Sequence, residues 1–91
     1  MSSPLSLTAD ISLYPQRDEY IPVIDDFIAH LHQHPGLEIA TTATSTLICG
    51  EYDRVFSAVQ KELRRSVESH GMQVLVCKFF VGERDVGTWI S

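Results

Sequence analysis

Apolar and polar residues alternate from residue 6 to residue 14, and this two-residue period predicts a β-strand with one buried face. The apolar positions of this strand are Leu7, Ala9, Ile11 and Leu13. Pro15 follows and is expected to end the strand. Three more stretches have strand-like composition, and they cover residues 37–43, 45–49 and 72–81. The connection near residues 43–44 is short, which predicts that the second and third strands form a hairpin.

Two other stretches have the period of an amphipathic α-helix. Asp18 is the expected N-cap of the first helix, with Glu19 in its first turn, and Pro35-Gly36 is expected to end it. Its apolar stripe consists of Tyr20, Ile24, Phe27, Ile28 and Leu31. The second helix opens at the acidic stretch 50–53 and closes at His70-Gly71. Its stripe consists of Val55, Phe56, Val59, Leu63 and Val67.

The two halves of the chain repeat one pattern. A shift of 35 residues places Gly36 on Gly71 and Ile39 on Val74. The resulting order, β-α-β-β-α-β, predicts a ferredoxin-like α+β sandwich. In this fold two helices cover one face of a four-stranded antiparallel sheet with strand order 4-1-3-2. The whole chain, 1–91, is predicted to be a single domain with a core of about 6–81 and a tail of 82–91.

The repeat also assigns each strand residue to a face of the sheet. The face covered by the helices is expected to hold Leu7, Ala9, Ile11, Leu13, Ile39, Thr46, Ile48, Val74 and Val76. The open face is expected to hold Asp10, Ser12, Tyr14, Thr42, Ser45, Leu47, Cys49, Leu75, Cys77 and Phe79. The second set mixes an acid, hydroxyls and apolar groups, which is typical of a face that binds a ligand or a partner.

Composition and charge exclude several classes of protein. The net charge of −5 argues against a nucleic-acid-binding surface. No apolar run reaches the ~20 residues of a membrane span, and the N-terminus lacks the features of a secretory signal, so a cytoplasmic protein is expected. Cys49 and Cys77 are expected to be reduced thiols.

Motifs for catalysis and for metal binding are not found. The sequence has no GxSxG, no P-loop and no HExxH, and the loop 14–19 lacks the glycines of a phosphate cradle. His30 and His34 are four residues apart, but they fall at the end of a helix, where histidine favours the helix dipole. We therefore expect neither an enzyme nor a bound cofactor or metal.

Five hydroxyl side chains lie within residues 41–46, and this run has two explanations. It could provide hydrogen-bond donors and acceptors for a polar ligand. It is about equally compatible with a solvated strand edge or hairpin. The residues alone leave both open.

Several short motifs resemble those of the YkoF-like family of thiamin- and hydroxymethylpyrimidine-binding proteins. These motifs are Ala9-Asp-Ile-Ser-Leu-Tyr-Pro15, Tyr20-Ile21, Thr44-Ser-Thr46 and Gly50-x-Tyr-Asp53. The resemblance spans about residues 7–81 and implies a ferredoxin-like fold that binds thiamin or its pyrimidine moiety without catalysis, in vitamin salvage or uptake. The best-known form has two such domains in tandem, so a single-domain chain is expected to form a homodimer or homotetramer.

The ligand chemistry implied by the resemblance suits particular residues. The carboxylate of Asp10 could accept a hydrogen bond from the exocyclic amine of an aminopyrimidine, and Tyr14 or Phe79 could stack on its ring. The hydroxyl groups expected to contact ring nitrogens or a hydroxymethyl group belong to Ser12, Thr44, Ser45 and Thr46.

Each of these residues also has an ordinary structural explanation. Asp10 could pair with Lys78, and Tyr14 and Phe79 could anchor a subunit interface. The alternative function is accordingly a small self-associating regulatory or protein-interaction module that binds another metabolite or a protein.

Overall fold

The structure, a computed structural model, describes residues 5–82 and has the predicted order β-α-β-β-α-β. Its four strands and two helices are β1 (Ser6–Pro15), α1 (Ile21–Leu31), β2 (Glu38–Thr41), β3 (Thr46–Glu51), α2 (Tyr52–His70) and β4 (Gln73–Val81). The tail expected at 82–91 lies outside the described residues apart from Gly82 itself.

The four strands form one antiparallel sheet in the order β2-β3-β1-β4, which confirms the predicted topology. β1 lies between β3 and β4, and its alternation places Leu7, Ala9 and Ile11 in the core, each at most 2% exposed. The helices pack on this face through Val23 and Phe27 of α1 and through several small or β-branched residues of α2. The core therefore lies between the sheet and the helix layer.

Both helices cover the predicted regions, but α1 begins later than predicted. The expected cap, Asp18, precedes a turn in which its carbonyl accepts a hydrogen bond from the Tyr20 amide at 3.1 Å. The N-cap is Tyr20, which makes no capping bond with its side chain, and Pro22 lies in the first turn, where its missing N–H costs nothing. α2 begins after Glu51, whose side chain accepts from the amide of Asp53 at 3.1 Å.

The face assignment is confirmed for the residues of β1, β2 and β3 and is wrong for β4, while Thr42 and Ser45, which were expected on the open face, lie in the turn between β2 and β3. Ala9 and Ile11 pair with Phe79 and Cys77, so these β4 residues share the helix-covered face, while Val74 and Val76 lie on the open face. Odd-numbered residues of both β2 and β4, such as Ile39 and Cys77, lie on the helix-covered face, so the odd shift of 35 residues cannot relate the faces of these two strands. The repeat therefore slips by one residue between β2 and β4, and a one-residue slip exchanges the two faces of a strand.

The β2–β3 hairpin turns through residues 42–45. Thr41 pairs with Thr46, and the Thr42 amide donates to the Ser45 carbonyl at 2.8 Å. The Thr42 hydroxyl accepts from the Ser45 amide at 3.0 Å and donates to the Ser45 carbonyl at 3.1 Å. Part of the hydroxyl run thus closes the turn, in the way that Ser and Thr stabilise turns generally.

Candidate functional site

A pocket of about 510 Å³ opens where the end of β1, the β2–β3 hairpin and the first half of α1 meet. It lies between the helix layer and the end of the sheet. Its floor is apolar and includes Ile11, Leu13 and Phe27, and its hairpin wall carries hydroxyl groups. Such a combination of apolar surface and a few polar groups is typical of small-molecule sites.

Five of the seven predicted site residues line this pocket. They are Ser12, Tyr14, Thr44, Ser45 and Thr46. Strict alternation would have placed Thr44 and Thr46 on the face opposite to Ser45. All three reach one pocket because Thr44 and Ser45 belong to the turn and only Thr46 belongs to the strand.

Thr46 is the buried hydroxyl residue of the pocket wall, with 5% of its surface exposed. Its hydroxyl has no hydrogen-bond partner within residues 5–82. Ser12, by contrast, donates to the Thr44 carbonyl at 3.2 Å and so ties β1 to the hairpin. Thr46 can therefore offer both a donor and an acceptor to a molecule in the pocket, since a hydroxyl carries both.

The other two predicted site residues, Asp10 and Phe79, do not line the pocket. Asp10 lies on the open face of the sheet between Leu47 and Lys78, and the ion pairs of residues 5–82 do not include one between Asp10 and Lys78. The ring of Phe79 lies on the helix-covered face, 4.8 Å from the ring of Phe56 in α2.

The pocket also contains residues that were predicted only as part of the helix stripe. These are Tyr20, Ile24, Phe27 and Ile28. Tyr20 and Tyr14 are each about half exposed, at 50% and 53%, and provide aromatic surface at the pocket. The apolar period of α1 identified these positions as buried, but a period alone does not reveal where the core is left open.

A second polar group of residues joins α1 to α2 and contains the histidines. Asp26 contacts His30, Arg65 and His70, while Glu62 contacts Arg65 and His34 at 2.8 and 2.7 Å. The His70 hydrogen bond and Arg65 outweigh partial burial and lower the pKa of Asp26. Burial opposes the charge of Glu62, but hydrogen bonds from Arg65 and His34 lower its pKa overall. Within residues 5–82, no cluster of three or more His, Cys, Asp or Glu side chains is arranged to hold a metal ion.

The two cysteines are free thiols that lie on opposite faces of the sheet. Cys49 accepts a hydrogen bond from the Thr8 hydroxyl at 3.4 Å on the open face. Burial raises the pKa of the Cys77 thiol on the helix-covered face.

Comparison with known proteins decides the family. The model of the YKOF-related family matches residues 7–82. The chain belongs to the YKOF-related family. This match covers the whole sheet apart from Ser6, both helices and every residue of the pocket. No curated protein matches the sequence.

Solved structures share the fold of this YKOF-related chain at low sequence identity. Protein SP2199 from Streptococcus pneumoniae is 20% identical, with a TM-score of 0.82 over 93% of this chain and 97% of its own. Protein TM0486 from Thermotoga maritima, provisionally assigned to thiamine biosynthesis or salvage, is 19% identical, with a TM-score of 0.73 over 90% and 86% of the two chains. Protein MJ1052 from Methanocaldococcus jannascii is 17% identical, with a TM-score of 0.68 over 89% and 82%.

The helices of the described region, residues 5–82, are too short or too polar to cross a membrane.

Proposed function

We propose that this protein binds thiamin or its hydroxymethylpyrimidine moiety without catalysing a reaction, as part of thiamin salvage or uptake in the cytoplasm. The observation that carries the proposal is the pocket between α1 and the β2–β3 hairpin. Membership of the YKOF-related family and the thiamine-related assignment of the Thermotoga maritima neighbour support the choice of ligand.

The pocket has the chemistry that an aminopyrimidine needs. The flat ring can lie against the apolar side chains of the pocket, and Tyr20, which is half exposed, supplies aromatic surface for contact with it. The ring nitrogens and the hydroxymethyl group require neutral donors and acceptors, which Thr46 and the exposed Thr44 provide.

Thiamin also has a thiazolium ring, which is a cation. We place it toward the mouth of the pocket, beside Tyr14 and Tyr20, because an aromatic face attracts a cation. The overall charge of −5 favours the approach of a cation.

Isothermal titration of the full-length protein with thiamin and, separately, with hydroxymethylpyrimidine tests the proposal. We expect saturable binding of both compounds with one site per chain. Absence of binding by protein with a folded circular dichroism spectrum would contradict the proposal, and it would favour the regulatory or protein-interaction module instead.

A further inference from the structure

The central strand β1 extends beyond its partner β3, which leaves one side of its last residues without a neighbouring strand. β1 runs to Pro15, but its pairing with β3 ends where Ile11 lies opposite Thr46. Beyond this point the facing chain is the hairpin turn, residues 42–45. Within residues 5–82, positions 12–15 of β1 therefore pair with β4 alone.

Hydrogen bonds at the start of β1 show which backbone groups point to each side of the strand. The Ser6 carbonyl accepts from the Gly82 amide, which follows β4, so the even-numbered residues of β1 bond to β4. The Leu5 carbonyl accepts from the Tyr52 amide, which follows β3. Because backbone groups alternate sides along a strand, the odd-numbered residues of β1 direct their N–H and C=O groups toward β3.

Leu13 is the first odd-numbered residue beyond the β1–β3 pairing. Neither its backbone N–H nor its C=O has a hydrogen-bond partner within residues 5–82. It lines the pocket, and only 8% of its surface is exposed. Pro15, the next odd-numbered residue, has no N–H to donate. Leu13 therefore offers the pocket an unpaired donor and acceptor side by side, and a ligand that pairs with them removes the cost of leaving them unpaired.

We propose that the backbone of Leu13 binds the edge of the aminopyrimidine that carries the exocyclic amine and the adjacent ring nitrogen. The amine donates to the Leu13 carbonyl, and the ring nitrogen accepts from the Leu13 N–H. The ring thus replaces the strand residue that would face Leu13 if the β1–β3 ladder continued. This inference rests on the proposed function, because it concerns how the same ligand is recognised in the same pocket.

The Leu13 carbonyl also supplies an acceptor that the pocket otherwise lacks for the amine. The sequence suggested the carboxylate of Asp10 for this role, but Asp10 lies outside the pocket, on the open face of the sheet. The hydroxyl groups of Thr44 and Thr46 remain available for the other ring nitrogen and the hydroxymethyl group.

Amide hydrogen exchange, followed by NMR, tests the Leu13 donor. In the free protein, the Leu13 amide should exchange faster than the Ile11 amide, which bonds to β3. Hydroxymethylpyrimidine at about twenty times its dissociation constant should slow exchange at Leu13 at least about tenfold. Ile39 is the matched control, because its N–H points outward from the edge strand β2, away from the pocket, and its exchange should change little.

An analogue of hydroxymethylpyrimidine without the amine tests the Leu13 acceptor. Isothermal titration should show that it binds about fivefold or more weakly than the parent compound, since the carbonyl is left unpaired. At saturation it should still slow exchange at Leu13, because it keeps the ring nitrogen. The same ratio of affinities is expected in Asp10→Asn, since that carboxylate does not contact the amine.

Different results overturn the proposal in different ways. Saturable binding of hydroxymethylpyrimidine with unchanged exchange at Leu13 excludes the Leu13 contact and leaves the proposed function in place. Equal affinities for the two compounds in Asp10→Asn, but not in the native protein, would assign the amine to Asp10 instead. Slow exchange at Leu13 in the free protein, equal to that at Ile11, would show that the N–H is already paired. Absence of binding by folded protein contradicts the proposed function and this inference together.

Discussion

Thr46 is the residue whose chemistry the pocket depends on most. It is buried, yet its hydroxyl has no partner among residues 5–82, so a ligand can satisfy it. Thr46→Val keeps the shape and removes the hydroxyl. We expect hydroxymethylpyrimidine to bind roughly three- to tenfold more weakly, the loss of one net hydrogen bond, with thermal stability unchanged or slightly higher. Isothermal titration and a thermal melt measure the two effects.

Two residues on the opposite face provide controls for Thr46. Thr8→Val makes the same change at a hydroxyl that donates to Cys49, and Asp10→Asn removes the carboxylate that the sequence suggested as a ligand for the amine. With the ligand in the pocket, neither change alters affinity. Weaker binding by Asp10→Asn and unchanged binding by Thr46→Val would place the ligand on the open face.

Glu62 links stability to pH. Its side chain is 6% exposed and bonds to both Arg65 and His34, which lower its pKa. A carboxyl group with a lowered pKa stabilises the fold above its unfolded pKa, and this contribution is lost as the pH falls through the lower, folded pKa. Glu62→Gln should therefore lower the free energy of unfolding by about 1–3 kcal/mol at pH 7.

The deficit caused by Glu62→Gln should become smaller as the pH is lowered toward 3, because the native carboxyl then takes up a proton. Urea denaturation of both proteins at several pH values measures this difference in the free energy of unfolding. Glu68→Gln is the control, since Glu68 lies in the exposed pair with Arg64 and should change little. A constant deficit at all pH values would show that the charge of Glu62 is not the cause.

At the scale of the element, the Thr42 side chain stabilises the turn of the β2–β3 hairpin. The Thr42 hydroxyl makes hydrogen bonds with the amide and the carbonyl of Ser45. Thr42→Val should lower the free energy of unfolding by about 1 kcal/mol and weaken ligand binding, because the turn forms a wall of the pocket. Thr42→Ser keeps the hydroxyl, so it should lose much less of the free energy of unfolding and of the ligand affinity. Equal losses in the two variants would attribute the effect to side-chain volume.

The helices and strands could be predicted from local patterns, but the face of β4 that packs against the helices could not. The period of β1 and the stripes of both helices specified strands, helices and topology, because burial of one face determines each period. The face of β4 was predicted wrongly, because a strand of mostly apolar residues from Val74 to Val81 has no polar alternation to reveal its buried side. The register in which β4 pairs with β1 determines which face of β4 is buried.

The candidate site was predictable for its hydroxyl side and not for its apolar side. The high content of hydroxyl residues in 41–46 indicated Thr44, Ser45 and Thr46 as candidate ligand contacts. Tyr20 and Phe27 have the same period as any core residue of α1. Their role in the pocket depends on how far α1 stands from the hairpin, which is a property of the tertiary structure.

At the scale of the whole molecule, the pocket and β4 are separate. The pocket is lined by β1, the hairpin and the α1 region, and β4 contributes none of its lining residues. Val76→Lys, on the open face of β4, should therefore bind hydroxymethylpyrimidine with native affinity and one site per chain. Calorimetric titration of this variant measures both quantities. Loss of binding by this variant, with an unchanged circular dichroism spectrum, would mean that the ligand site extends to the open face of β4.

Backbone amide chemical shifts would reveal whether hydroxymethylpyrimidine occupies the pocket between α1 and the β2–β3 hairpin. Isotope-labelled protein would be titrated with hydroxymethylpyrimidine, and the shifts of its backbone amides would be mapped. The pocket predicts saturable changes that concentrate at residues 11–16, 20–28 and 41–46. Changes that concentrate around Asp10, Leu47 and Lys78, or no changes at saturating ligand, would contradict it.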